Sequence, residues 1–205
     1  MLTVELKHLF TTPVYSFDLL SECEGLVEMV AMDGQNFSNY AQVEIEKNDK
    51  PFKSKDYNFL NYPGYGTEKL KQYLAQAIDV VSKDRNWPKC HFEFESRHNV
   101  YPPNEDDSPH FHSMPDLVGV FYLNVPDNSG DILFFDTRGV VGPCWKDKWI
   151  STDGKNRNDR IYHRVTPKPG QLILFPSYLN HAVETNLSDT YRLSVVIDIR
   201  MIADE

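Results

Sequence analysis

From His91 to Arg200 the chain is built largely of short period-two runs broken by turn signals, a pattern that suits antiparallel strands and little else. His91-Phe92-Glu93-Phe94-Glu95 alternates strictly, and strand-like runs follow at Leu117 to Val125, Asp131 to Phe135, Ile161 to Thr166, Gln171 to Phe175 and Tyr191 to Arg200. Asp127-Asn128-Ser129-Gly130 and Lys168-Pro169-Gly170 separate them, with residues that favour tight turns. The stretch from Arg138 to Arg160, with Trp145 and Trp149, is too long for a simple hairpin and reads either as a lid or substrate loop or as a surface insertion.

The first 90 residues read differently. Residues 2 to 18 form short extended pieces broken at Pro13. Leu19, Leu20, Cys23, Leu26, Val27 and Val30 then recur at a helical period from Asp18 to Met32, with Ser16 or Asp18 as candidate cap. The polar stretch from Asp33 to Gly66 reads as loops around short strands. Thr67-Glu68 opens a second helix whose stripe is Leu70, Tyr73, Leu74, Ala77, Ile78 and Val81, ended by Asn86-Trp87-Pro88. The expected architecture is a single α+β domain, mainly β, dominated by a jelly-roll or barrel. Residues 1–90 would support a strand core at 91–200.

Composition weighs against some partners. A formal net charge of -9 and a pI near 5.2 disfavour electrostatic attachment to nucleic-acid backbones. Cys23, Cys90 and Cys144 are odd in number and far apart, which fits neither a disulfide framework nor a thiolate metal site and points to a reducing, cytoplasmic setting. No window approaches the length of a membrane span. Oligomeric state leaves no sign in the sequence.

The chemistry-bearing pattern lies inside the strand region. His110 and His112 stand at i and i+2, so on an extended segment both imidazoles point to one side; His181 arrives later, just after Gln-Leu-Ile-Leu-Phe. Three neutral imidazoles of this kind suit one mononuclear metal with half its coordination sphere open. Arg192 and Ser194 follow in Tyr-Arg-Leu-Ser-Val-Val-Ile, where a guanidinium could grip a carboxylate in the same cavity. Pairing of Arg192 with a structural Asp or Glu is the alternative. His-x-His alone also occurs in zinc hydrolases, cupins and ordinary surface strands. His8, His91, His98 and His163 read as exposed or hydrogen-bonded residues, and Glu105-Asp106-Asp107 as a solvated turn or a recognition element for a basic substrate.

Over residues 92 to 200 the chain resembles the Fe(II)- and 2-oxoglutarate-dependent oxygenases, in particular the prolyl-hydroxylase-like branch and the oxygenases of phages and marine bacteria. The resemblance rests on Pro-His-Phe-His, Leu-Val-Gly-Val-Phe-Tyr-Leu-Asn-Val-Pro, Ser-Gly-Asp-Ile-Leu-Phe-Phe-Asp, Pro-Gly-Gln-Leu-Ile-Leu-Phe-Pro-Ser with His181, and Arg192-Leu-Ser194; Leu-Phe-Thr-Thr-Pro-Val near the start is similar as well. It implies a double-stranded β-helix, the cupin-like form of the jelly-roll. It further implies iron on His110 and His181, and the distal carboxylate of 2-oxoglutarate on Arg192 and Ser194. Tyr122 would offer the co-substrate a hydrogen bond, and Asn99-Val-Tyr101 resembles an Asn-x-Tyr element that contacts 2-oxoglutarate in oxidative demethylases.

One departure is chemical. Where that family usually has a ligand Asp, this chain has His112, leaving the site one negative charge poorer. Three-histidine iron also occurs in cupin dioxygenases that use no 2-oxoglutarate, whose spacing His-x-His with Asp116 resembles. The expectation is therefore an oxygenase using dioxygen to hydroxylate a peptide side chain, an amino acid or another small molecule. The alternatives are a three-histidine cupin dioxygenase and a non-catalytic jelly-roll binding protein.

Overall fold

Alternation in the last strand decides how the layers stack. Val195, Ile197 and Ile199 point to one side of it and are fully buried, while Arg192, Ser194 and Val196 point to the other and are almost as deeply covered. A strand buried on both faces must lie in the middle of a sheet with a layer on each side.

The computed structural model describes residues 11–37, 52–53, 59–136 and 162–203. In chain order the elements are β1 (Tyr15–Asp18), α1 (Leu26–Phe37), β2 (Phe52–Lys53), a 3-10 turn (Phe59–Asn61), α2 (Tyr65–Asp84), β3 (Cys90–Tyr101), β4 (Asp107–His110), β5 (Leu117–Asn124), β6 (Ile132–Phe135), β7 (Tyr162–Val165), β8 (Gln171–Pro176), β9 (His181–Val183) and β10 (Arg192–Ala203). They form a six-stranded sheet in the order β1-β8-β5-β10-β3-β2 and a four-stranded sheet in the order β4-β9-β6-β7. All the pairings are antiparallel.

The larger sheet carries the helices on its outer face. Leu26 and Val30 of α1 and Leu70, Leu74, Ala77, Ile78 and Val81 of α2 pack against Leu117, Phe121, Leu172, Leu174, Val195, Ile197 and Ile199. The inner face turns toward the smaller sheet, where Val118, Val120, Tyr122, Ile173, Phe175 and Val196 meet Ile132 and Phe134. Polar side chains on that inner face are the ones that can form a site.

The α1–α2 contact is tight because Gly66 lets two backbones touch. A Cβ there would lie 2.4 Å from Val30 N and Met29 C. Both neighbours are main chain, so relief requires moving a helix. Gly66→Ala should destabilise the protein by roughly 2–3 kcal/mol, in the range of overpacked cores. Thermal unfolding should then drop by roughly 4–12 °C, and an unchanged midpoint would refute the close-approach account. The N-terminus of α2 is also tied to α1, since the Asp33 carboxylate accepts a hydrogen bond from Thr67 N at 2.9 Å.

The structure moves three expected boundaries. The first helix starts at Leu26, not Asp18. Asp18 Oδ1 accepts from Leu20 N and Ser21 N in a local turn, and Gly25 at φ +80 breaks the chain just before the helix. That helix then runs on to Phe37, into a stretch expected to be loop. The second helix begins at Tyr65, where Gly64 is the N-cap and Thr67 accepts from Gly64 N at 3.2 Å. Residues 138–160 and the first ten residues lie outside those described, as does much of the stretch from 38 to 58.

His98 is a core residue. It is buried in β3 and stacks on Phe59 at 5.8 Å between ring centroids, and burial alone lowers its pKa to about 4. The unfolded chain takes up that proton below about 6.5, whereas the folded protein does so only near 4. Stability from this group is therefore complete above about pH 6.5 and falls as pH drops towards 4, by up to about 3 kcal/mol. Urea titrations across that window should show a shallower acid loss for His98→Leu than for the wild type; identical slopes would contradict the assignment.

Candidate active site

Register brings the three imidazoles together. β4 pairs with β9 so that His110 lies opposite His181, and His112 N donates to Ser177 O at 3.0 Å just before β9. Ring centroids are 4.4 Å apart for His110 and His181, 5.4 Å for His112 and His181, and 5.5 Å for His110 and His112. One ring nitrogen from each lies within 4.8 Å of the others, close enough for all three to hold one ion.

Each ring is also locked in one tautomer. Nδ1 of His110 contacts Ser108 O at 2.7 Å, Nδ1 of His181 contacts Leu179 O at 2.9 Å, and Nδ1 of His112 contacts Asp198 Oδ1 at 2.6 Å. Carbonyls and an ionised carboxylate only accept, so in every ring Nδ1 carries a proton, and the tautomer that each neutral ring takes up leaves the Nε2 lone pair free. This is the donor set a divalent metal requires. Burial dominates at His181, lowering its pKa to about 4 and keeping the ring neutral, with Phe175 edge-on at 4.8 Å.

The other half of the site comes from strand alternation. Arg192, Ser194, Val196 and Asp198 share the inner face of β10. Register sets Tyr101 beside Arg192 and Asn99 beside Ser194 on β3, with Tyr122 on the other side of Ser194 in β5. Asn99, Tyr101, Tyr122, Arg192, Ser194 and Val196 line one cavity with the three histidines.

Arg192 is only 2% exposed. Its guanidinium lies 4.5 Å from the Tyr101 ring centroid, and Nη1 donates to Ser129 O at 2.9 Å and Gly130 O at 3.3 Å. Those carbonyls belong to the β5–β6 turn, whose shape depends on Gly130 at φ +89: a Cβ there would strike Glu184 O at 2.2 Å. Among the described residues no carboxylate forms an ion pair with Arg192 and neither Nε nor Nη2 has a hydrogen-bond partner, so the expected alternative of a structural Asp or Glu is not what holds it. Burial lowers its pKa, which reflects the cost of an unpaired cation there. Asn99 Oδ1 is likewise buried without a partner among the described residues, at a cost of about 1–3 kcal/mol.

Other expected residues resolve differently. Tyr101 Oη donates to Asp107 Oδ2 at 2.7 Å, so its ring supports Arg192 while its hydroxyl is committed. Burial raises the pKa of both Tyr101 and Tyr122, keeping each a neutral phenol. The acidic run makes contacts within the protein: Asn186 N donates to the main-chain O of Glu105, Thr185 Oγ1 to Asp106 Oδ2, and Asp107, which also lines the cavity, takes the Tyr101 hydroxyl. Asp116 accepts from Met201 N at 2.7 Å and is absent from the cavity lining. His91 and His163 are exposed.

Two site residues escaped the sequence reading. Asp198 divides its carboxylate between His112 and Arg97, whose Nη1 is 3.3 Å from Oδ2. Burial alone would raise its pKa, but the His112 hydrogen bond and Arg97 outweigh that and hold the carboxyl below its usual range. The available signal was an Asp at period two from Arg192 and Ser194 in an apolar strand.

The sequence profile of the family described as "Putative 2OG-Fe(II) oxygenase" matches residues 95–198, half of the chain and every residue just named between those bounds. The chain belongs to the 2OG-Fe(II) oxygenases. The family uses Fe(II) and 2-oxoglutarate, and in this oxygenase His110, His112 and His181 form a group that could hold a metal ion. Solved structures share the fold at low identity. A prolyl-4-hydroxylase from Pseudomonas putida is 16% identical with a TM-score of 0.61, covering 94% of each chain. AviO1 from Streptomyces viridochromogenes is 12% identical, TM-score 0.57, over 89% of this chain and 87% of that one. The epimerase SnoN of nogalamycin biosynthesis, in complex with Fe3+, alpha ketoglutarate and nogalamycin RO, is 11% identical, TM-score 0.58, over 92% and 79%. These neighbours place the two sheets as a double-stranded β-helix, as expected from the sequence. Among curated proteins, no sequence matches this chain.

Among the described residues no helix is long and apolar enough to cross a membrane.

Proposed function

We propose that the oxygenase hydroxylates a peptide side chain, an amino acid or another small molecule, with His110, His112 and His181 holding the iron and Arg192 anchoring 2-oxoglutarate. The observation that carries this reading is Arg192: a cation 2% exposed, with no carboxylate paired to it among the described residues, lining the same cavity as three imidazoles whose Nε2 atoms are free. A dicarboxylate would supply the missing countercharge in the cavity that the imidazoles also line.

When bound, iron and 2-oxoglutarate supply dioxygen activation coupled to decarboxylation of the co-substrate to succinate. The protein's own residues hold and shield. Arg192 grips the distal carboxylate, Ser194 adds a hydroxyl, and Tyr122 and Asn99 offer further hydrogen bonds from neighbouring strands. Tyr101 braces the guanidinium from beneath. Phe134 and Phe175 pack around His181 and keep water from that side. Phe111, Met114 and Tyr178, all largely exposed on the segments that carry the triad, offer an apolar surface for the substrate.

A three-histidine cupin dioxygenase would need no buried guanidinium in its cavity, which is why that reading ranks second. Succinate production separates them. Purified protein given Fe(II), oxygen and 2-oxoglutarate should form succinate, and omission of either iron or 2-oxoglutarate should stop it. Oxygen uptake that ignores 2-oxoglutarate would favour the cupin reading, and no turnover with any metal a binding protein.

A further inference from the structure

Three neutral imidazoles would leave a divalent cation with no anionic protein ligand, and the structure keeps one carboxylate a single ring away. Asp198 Oδ1 lies 2.6 Å from His112 Nδ1, on the side of the ring opposite the free Nε2. Its side chain is 16% exposed, so the interaction is only partly screened. Arg97 Nη1 holds the other oxygen at 3.3 Å, and the β10 register sets Asp198 on the same face as Arg192 and Ser194.

We infer that Asp198 is a positioning residue for the metal site: through the His112 ring it fixes the ligand tautomer and supplies the negative charge that the three ligands lack. This inference rests on the ferrous reading of the triad. Nδ1–H of His112 points at a carboxylate, which increases electron density at Nε2 and strengthens it as a donor. His110 and His181 bond backbone carbonyls in the corresponding position, and Asp107 Oδ1 stands 3.9 Å from His110 Nδ1, so among the three His112 is the ring whose Nδ1 is hydrogen-bonded directly to a carboxylate.

Arg97 makes the arrangement directional, and this gives a sharp test. In Asp198→Asn the amide oxygen must face Arg97, because an NH2 there would oppose a donor with a donor. The NH2 then faces His112 Nδ1, which must become the acceptor. The proton moves to Nε2 and blocks the ligand atom.

Two measurements decide it. In metal-free wild-type protein, nitrogen-15 NMR of His112 should report a protonated Nδ1 and a bare Nε2; the opposite tautomer would overturn the inference without any variant. Anaerobic titration with Fe(II) alone, or with Mn(II) as an air-stable probe, should show Asp198→Asn binding about 10- to 100-fold more weakly than wild type, the range for groups that orient metal ligands. Asp198→Glu, which keeps the charge, should recover part of the loss. Equal affinity of wild type and Asp198→Asn would overturn the role of Asp198 while leaving the triad intact. Failure of the wild type itself to bind either metal would instead overturn the ferrous reading, and the inference with it.

Discussion

His110→Ala should abolish iron binding and succinate formation while leaving the protein folded. His110 lies at the edge of the site, 32% exposed in its side chain, and its ring is held mainly by one bond to Ser108 O. Truncation removes little packing, so unfolding should change by no more than about 1 kcal/mol. Metal binding should suffer far more. Loss of one of three ligands should exceed the roughly 10- to 100-fold that outer groups contribute, so affinity should fall by more than about a hundredfold. His181→Ala makes a useful contrast. It should lose metal to the same extent, but its ring is 4% exposed and packs on Phe175, so this variant should also lose about 2 kcal/mol or more of stability. Calorimetric metal titration beside thermal unfolding distinguishes the two. If His110→Ala kept wild-type affinity for Fe(II), the triad would not be the metal site.

The second large effect is expected at Arg192. Arg192→Gln should weaken 2-oxoglutarate binding to the metal-loaded protein by about 2–5 kcal/mol, the range for loss of one partner of a buried charge pair. That corresponds to roughly 30-fold up to several thousandfold in Kd. Affinity for the metal should hardly move, because Arg192 makes its bonds to Ser129 O and Gly130 O, away from the imidazole nitrogens. Arg192→Lys should fall between the two. A lysine keeps the charge but not the planar fork over Tyr101. Unchanged 2-oxoglutarate affinity in Arg192→Gln would remove the anchoring role and return the cupin reading to first place.

Much of this was legible because strands alternate. Period two put Arg192 and Ser194 on one face, and the i, i+2 spacing put His110 and His112 on one side; both relations are local and need no knowledge of the fold. The helices were legible from their stripes, though the first was placed too early: Leu19 and Cys23 continue the helical period through a turn that Asp18 and Gly25 impose. What stayed hidden depends on register between distant segments. Asp198 meets His112 across 86 residues, a contact fixed only once β10 has paired with β5. The acidic run was ambiguous for the same reason. Asn186 and Thr185 lie far along the chain, and only their hydrogen bonds show that Glu105 and Asp106 brace a turn.

The central claim is that three imidazoles and one guanidinium make a single pocket for a metal and a dicarboxylate. An anaerobic crystal structure with Mn(II) and 2-oxoglutarate tests it most directly. The account predicts one ion bonded to Nε2 of His110, His112 and His181, with the far carboxylate of 2-oxoglutarate on Arg192 and Ser194. An ion held elsewhere, or a dicarboxylate bound away from Arg192, would contradict it.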